Sequence, residues 1–367
     1  MVMKDITILL TVYNRPHFTR KWLDYANQIR LPFKIFIADG GKNNFVKHII
    51  KNNKYQNIKV TYYKFKYYRN FNNFFEKFYL SCKKIKSEFI YICEDDDYIY
   101  PKNILKSYNF LKKNSDYSCS GGVNFRYDSF SLKNKLYAYF HLQDNEINKS
   151  VKNNSSLDRL IKLFSNLNSN WNCLHRKKTL LKTFSFMKEK NFKNYLLTEN
   201  VFIAFTTYFG KINRFNHLEY LKTDDILQSA SNIFSRKSYI NFFYDKKKKS
   251  ELTFFFKSIN SIEKNKFKLQ EFENLFIKKF YEYELILLQK EKMISKLIFL
   301  FRYSLTAFLK KIRIFYYLKL IKFNYQNLKR DDIFFDDPKS MILYYKDKNF
   351  IKKVLNFLKS NSNKLDN

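Results

Sequence analysis

Apolar residues in the first half of this chain alternate between two textures. Ile6 to Thr11 is a continuous apolar run, as expected of a strand buried on both faces. Pro16 then suits the first turn of a helix, in which Phe18, Trp22 and Ala26 recur at four-residue spacing as a buried stripe. Phe33 to Ala38 and Asn57 to Tyr63 are two further strands, the first closed by Asp39-Gly40-Gly41. Asn73 to Lys84 fits a helix with Phe74, Phe78 and Cys82 on one face, and Phe89 to Cys93 fits a fourth strand. Strands alternating with helices predict an α/β fold, with a mostly parallel sheet flanked by helices.

Past Pro101 the pattern predicts a helix to Lys113, then a strand from Tyr117 to Phe125. The Asn-rich stretch from His141 to Ser156 is expected to be a loop. Asp158 to Phe164, Leu180 to Phe186 and Asn200 to Phe209 are helix-like. Beyond about Ser231 the texture changes: Lys246 to Lys249 mark a boundary, and Phe272, Phe276, Phe280 and Tyr283 share one helical face. The expected organisation is an α/β domain over 1–230 and a helical, basic and aromatic C-terminal extension over 231–367. No internal repeat is present.

Charge adds less than its size suggests. The chain carries 69 Lys and Arg against 33 Asp and Glu, a formal charge of +36, which favours an anionic partner. Yet Lys, Asn, Ile, Phe and Tyr are all abundant while Gly (5) and Pro (4) are scarce, a bias expected of AT-rich codons, so charge alone names no partner. Cys82, Cys93, Cys119 and Cys173 lack metal-site or redox-motif spacing and read as reduced thiols. The first strand begins almost at once, and no stretch approaches the roughly 18 uncharged apolar residues of a membrane span. A cytoplasmic protein is expected. Between Met293 and Asn324 every charged residue is Lys or Arg among Leu, Ile, Phe and Tyr. Such a stretch suits peripheral docking on the anionic inner face of a cell membrane, packing on the catalytic domain, or a dimer contact.

Against this basic background stands Glu94-Asp95-Asp96-Asp97, directly after the apolar run of the fourth strand. Like charges repel, so a carboxylate cluster at a strand's C-terminal end points to a bound cation. In α/β folds that edge is also where ligands bind. Hard oxygen ligands suit Mg²⁺ or Mn²⁺.

Four segments, in order, carry a resemblance to the family 2 glycosyltransferases and their GT-A fold. They are Leu9 to Pro16, Ala38 to Gly41, Glu94 to Asp97, and Thr198-Glu199-Asn200 at the opening of a later helix. The resemblance covers the first 230 or so residues. It implies a metal-dependent transfer of a sugar from a nucleotide-sugar to a glycan or lipid-linked acceptor, with inversion, in bacterial surface polysaccharide synthesis. The family's Asp-x-Asp element falls on Glu94 and Asp96, which makes Asp96 the expected metal ligand, with Glu94 and Asp97 beside it. Thr11, Tyr13, Arg15, Asp39, Asn73, Glu94 and Asp95 become expected nucleotide-sugar contacts, with Gly40 and Gly41 turning the backbone sharply after Asp39. Glu199 becomes the expected catalytic base, although a glutamate in the first helical turn also compensates a helix dipole. Trp171, Asn172, His175 and His217 are weaker candidates, more often packing residues than ligands.

Two other classes share some of these features. A nucleotidyltransferase also uses acidic metal ligands, but Thr11 to Pro16 lacks the glycine-rich, lysine-bearing phosphate loop it requires. A non-catalytic nucleic-acid- or membrane-binding protein with a degenerate transferase domain would account for the charge and aromatics. No nucleic-acid-binding motif is present, and no nucleic-acid partner is expected.

Overall fold

The computed structural model describes residues 3–53, 55–67, 72–132, 135–141, 149–165, 169–190, 195–223, 246–263, 268–278, 333–335 and 338–362. Four parallel strands form the frame: β1 (Met3–Val12), β2 (Phe33–Asp39), β3 (Lys59–Lys64) and β4 (Phe89–Glu94), lying side by side as β3-β2-β1-β4. The continuous apolar runs are continuous because both sheet faces are covered. In β1, Ile6, Ile8, Leu10 and Val12 face one core while Leu9 faces the other.

The first core packs the sheet against α1 (Pro16–Gln28), α2 (Phe45–Asn52) and α4 (Pro101–Lys113), through Trp22, Leu23, Val46, Ile104 and Leu111. The second packs it against α3 (Asn72–Lys84), α5 (Ser156–Ser165), α6 (Lys177–Lys190) and α7 (Tyr195–Tyr208). Aromatic rings fill that side, with Phe78, Phe184 and Phe202 in stacked succession. The helix Lys246–Asn260 and the helical residues 268–278 add Phe255, Phe272 and Phe276 to this same core.

Beyond β4 the sheet becomes mixed. β8 (Leu174–Arg176) is antiparallel to both β4 and β6 (Tyr117–Leu132), and β6 continues to β7 (Lys135–His141) and β10 (Ile333–Phe335). β9 (Lys211–Thr223) runs parallel to β6 and pairs antiparallel with the short β5 (Asp97–Ile99). The α/β class is as expected. The short, partnered strands β5 and β8 lack a sequence period of their own, and α2, β7 and β9 were also not expected.

Several local expectations are corrected. Phe18 is only half-buried; Thr19, Trp22, Leu23, Tyr25 and Ala26 make the inner face of α1. In α3 the buried rings are Phe75 and Phe78, and Phe74 lies at the margin beside Trp171. α7 begins at Tyr195, five residues earlier than expected. Of the aromatic face beyond residue 270, Phe280 and Tyr283 lie outside the described residues, as does the basic stretch Met293 to Asn324. All four cysteines are free and buried. Among the described residues no helix is long and apolar enough to cross a membrane.

The C-terminal helix Pro338–Ser362 packs Phe350, Ile351, Val354 and Phe357 against Tyr98, Phe125 and Leu218. At its kink, Asp347 accepts hydrogen bonds from the Leu218 backbone N–H (3.1 Å) and the Asn103 side chain (3.5 Å), both buried. Removing that carboxylate strands a buried donor. Asp347→Ala should therefore lower stability by about 1–3 kcal/mol in urea unfolding. An unchanged midpoint would show that the helix is not held there.

Candidate active site

The carboxyl ends of the parallel strands bring the sequence candidates to one edge. Thr11 is level with Glu94 on one side and Ala38 on the other, and Val12 is level with Asp39. Glu94 ends β4, Asp95 and Asp96 form a tight turn, and Asp97 starts β5. This reversal turns Asp95 away from the other three acids.

Asp95 points into the protein, where Thr19 Oγ1 donates to it at 2.8 Å and the Arg15 guanidinium forms an ion pair with it. The other arm of Arg15 reaches Asp96 at 3.0 Å, and its guanidinium lies 5.0 Å over the Phe18 ring. Burial works to lower the Arg15 pKa, but Asp95 and Asp96 outweigh it and hold the cation well above its usual value. Arg15 and Asp95 thus make their strongest contacts with each other. Lys222, on β9 opposite Asp97, reaches Glu94 Oε2 at 3.1 Å.

Asp97 is fully buried. Asn172 donates to its Oδ2 at 3.0 Å, while Oδ1 has no hydrogen-bond partner among the described residues. Burial, with Glu94 and Asp96 nearby, pushes its carboxyl well above the ordinary range, and Lys222 opposes this. Carboxylate oxygens of Glu94, Asp96 and Asp97 lie within 4.8 Å of one another. A buried carboxylate oxygen lacking a donor, beside two other acids, fits a hard divalent cation. The backbone supports this turn from below: Trp22 Nε1 donates to the Asp97 carbonyl at 2.8 Å, and the Tyr25 hydroxyl to that of Ile99 at 2.9 Å.

Asp39 lies one strand away, with its carboxylate already engaged. Gly41 N donates to Oδ1 at 2.7 Å, while Tyr62 (2.7 Å) and Lys64 (3.1 Å) donate to Oδ2. The chain bends over 41–44 after Asp39, and no glycine among the described residues has positive φ. Gly41 is needed for space: a Cβ there would sit 3.0 Å from Asn14 Oδ1 and 3.1 Å from Asp39 Oδ1. Tyr13 stacks on Tyr67 at 6.0 Å, Asn73 sits half-buried in the first turn of α3, and Arg69 and the Asn72 side chain lie outside the described residues. Lys77 is a buried cation that sequence reasoning missed. Burial lowers its pKa to about 7, while the charges of Asp39 and Asp95 pull it back up.

Glu199 lies one turn inside α7, not at its start, and no acid occupies the first turn of that helix. Dipole compensation therefore explains it less well than the sequence suggested. Its side chain is open to solvent although Leu197, Thr198 and Asn200 around it are buried. Its pKa is raised, chiefly by the surrounding protein and then by Glu94, with Lys222 opposing. Glu199 thus lies near enough to Glu94 and Lys222 for their charges to act on it.

His175 and His217 are packing residues. His175 is completely buried, with Nε2 donating to the Asn170 carbonyl at 2.8 Å, and Trp171 packs among Phe78, Phe184 and Phe202. His217 lies 3.4 Å from the buried Glu219. Burial pushes the His175 pKa from 6.5 to about 4. Between those values the unfolded chain binds more protons, so stability should fall as pH drops from about 6.5 towards 4, by up to about 3 kcal/mol. His175→Gln should flatten that limb of the profile of urea midpoint against pH. A slope identical to wild type would contradict the assignment.

Residues 7–169 match the family described as Glycosyl transferase family 2, a segment that includes the acidic turn and ends before Glu199 and Lys222. No curated protein matches the chain. Among solved structures, S. aureus TarS 1–349 in complex with UDP-GlcNAc is similar with a TM-score of 0.51 at 12% identity, over 77% of this chain and 73% of that one. The same S. aureus fragment in another crystal structure gives 0.43 at 12% identity, over 78% and 92%. A mannosyltransferase from Pyrobaculum calidifontis with GDP-Man and Mn²⁺ gives 0.28 at 11% identity, over 33% and 35%. At these identities the likeness is one of fold. Residues 7–169 are thus similar to the family 2 glycosyltransferases, and the α/β fold resembles that of the GT-A structures.

Proposed function

We propose that the protein moves a sugar from a nucleotide-sugar donor to a glycan or lipid-linked acceptor in a single metal-assisted displacement that inverts the anomeric carbon. The observation that supports this reading is the cluster of three carboxylates at the carboxyl ends of parallel strands, with Glu199 within electrostatic reach of Glu94. A divalent cation, Mn²⁺ or Mg²⁺, held by Asp96 with Glu94 and Asp97, would neutralise charge developing on the departing diphosphate.

The remaining roles belong to the chain itself. Thr11, Tyr13 and Asp39, at or just past the strand ends, and Asn73, in the first turn of α3, would contact the nucleotide-sugar. Arg15 and Asp95 hold the turn that presents Asp96. Glu199, its pKa raised by the surrounding protein and by Glu94, accepts the proton of the acceptor hydroxyl as that oxygen attacks the anomeric carbon. Attack from the face opposite the diphosphate gives inversion.

Thermal melting with nucleoside diphosphates and nucleotide-sugars, in Mn²⁺, Mg²⁺ or EDTA, tests the donor site. One nucleotide should raise the melting temperature in a metal-dependent way, and Asp96→Ala should abolish that shift. Glu199→Gln should retain it while kcat drops by about 10²–10⁴. A melting temperature indifferent to every nucleotide, in folded protein, would end this reading in favour of a degenerate transferase.

For the acceptor, we propose a bacterial surface-polysaccharide intermediate at the inner face of the membrane. The support is the sequence of 293–324, where a basic, aromatic stretch would gain roughly 1 kcal/mol per basic residue near anionic lipid. Flotation with anionic liposomes should recover the full chain more efficiently than a chain lacking 293–324. Equal recovery would remove the membrane from the proposal.

A further inference from the structure

Lys222 is the side chain at the site whose placement serves two incompatible purposes. Its strand, β9, pairs with β5 so that Lys222 lies level with Asp97. Its ammonium reaches out from there to Glu94 Oε2 at 3.1 Å. Arg15 serves the cluster from the other side, through Asp95 and Asp96. Glu94 of the candidate metal triad thus bears an ammonium in direct contact, while Asp97 holds a fully buried oxygen with no hydrogen-bond donor among the described residues. An ammonium and a divalent ion cannot both lie against Glu94 without like-charge repulsion. Both side chains of the pair are partly open to solvent, Lys222 at 27% and Glu94 at 37%, so the ammonium has room to leave.

We infer that Lys222 is the resident counter-cation of the acidic turn, which a divalent ion displaces from Glu94 and which then binds the diphosphate of the donor. This rests on the metal-dependent reading above and adds a device to it. The lysine occupies the carboxylate while the site holds no divalent ion, which weakens binding of the ion alone. A diphosphate arriving with the ion supplies the anion that the displaced ammonium needs. Binding of metal and of diphosphate is thereby coupled, and by linkage the coupling is reciprocal. The donor class this selects carries its sugar on a diphosphate, since a neutral or singly charged leaving group would leave the ammonium without a partner.

The test uses the full chain, Mn²⁺ alone and then inorganic pyrophosphate at saturating Mn²⁺, with bound Mn²⁺ read from the electron paramagnetic resonance signal of the free ion. Lys222→Met should bind Mn²⁺ alone about tenfold tighter than wild type and pyrophosphate about tenfold weaker. Lys222→Arg should resemble wild type in both. In a Glu94→Gln background, Lys222→Met should give no tightening, because the carboxylate it would release is gone. A purely structural lysine would weaken both ligands or neither. Should Lys222→Met fail to fold by circular dichroism, Lys222→Gln replaces it with the same expected signs. Mn²⁺ binding to wild type that is lost in Asp96→Ala but unchanged or weakened in Lys222→Met overturns this inference alone. A tightening that persists with Glu94→Gln, or unaltered pyrophosphate affinity, overturns it as well. No Mn²⁺ binding by wild type or any variant overturns the metal-dependent reading and this inference together. Binding that appears only in Lys222→Met supports it, with the lysine as the dominant occupant.

Discussion

Mutual repulsion among four consecutive carboxylates is the constraint around which this structure is arranged. Glu94 to Asp97 would drive one another apart or take up protons if they lay on one surface. The β4–β5 reversal turns Asp95 inward, away from the other three, and every acid meets a partner: Lys222 for Glu94, Arg15 and Thr19 for Asp95, Arg15 again for Asp96, Asn172 for Asp97. Those partners come from the loop after β1, α1, the segment before β8, and β9. Much of the fold is therefore needed to hold one turn.

The same logic explains why cations are buried beneath it. Lys77, on α3 among the rings of Phe74 and Phe78, would be costly to keep charged but for Asp39 and Asp95. Lys64 bridges the Asp39 carboxylate and the carbonyl of Gly41 (2.7 Å), tying the ends of β2 and β3 together. The aromatic wealth of the chain serves the opposite face, where Phe78, Phe184 and Phe202 stack beneath Trp171 and so fix the segment that supplies Asn172. Packing on one side of the sheet thus positions a polar contact at its edge.

Legibility in the sequence followed the range of the interactions. The strands β1, β2 and β4 were readable because both faces are buried, which makes each a continuous apolar run. α4 was readable from Pro101 and its periodicity. β5 and β8, three residues each, carry no period at all. They are strands because β9, β4 and β6 offer them hydrogen-bonding partners. Glu199 was legible as a residue of interest, but its setting was not: α7 starts a turn earlier, so the glutamate projects from within a helix whose neighbouring residues are buried.

By itself the sequence determined the α/β class and an acidic run following directly on a buried strand. Those properties are written in local runs of residues and in the order of segments. Tertiary structure alone decided that Arg15 joins Asp95 and Asp96, and that Lys222 stands against Glu94, 128 positions away. Ion pairs across such separations leave no period or motif behind. They exist because strand register and helix packing bring distant charges within a few ångströms, where desolvation strengthens their attraction and their repulsion alike.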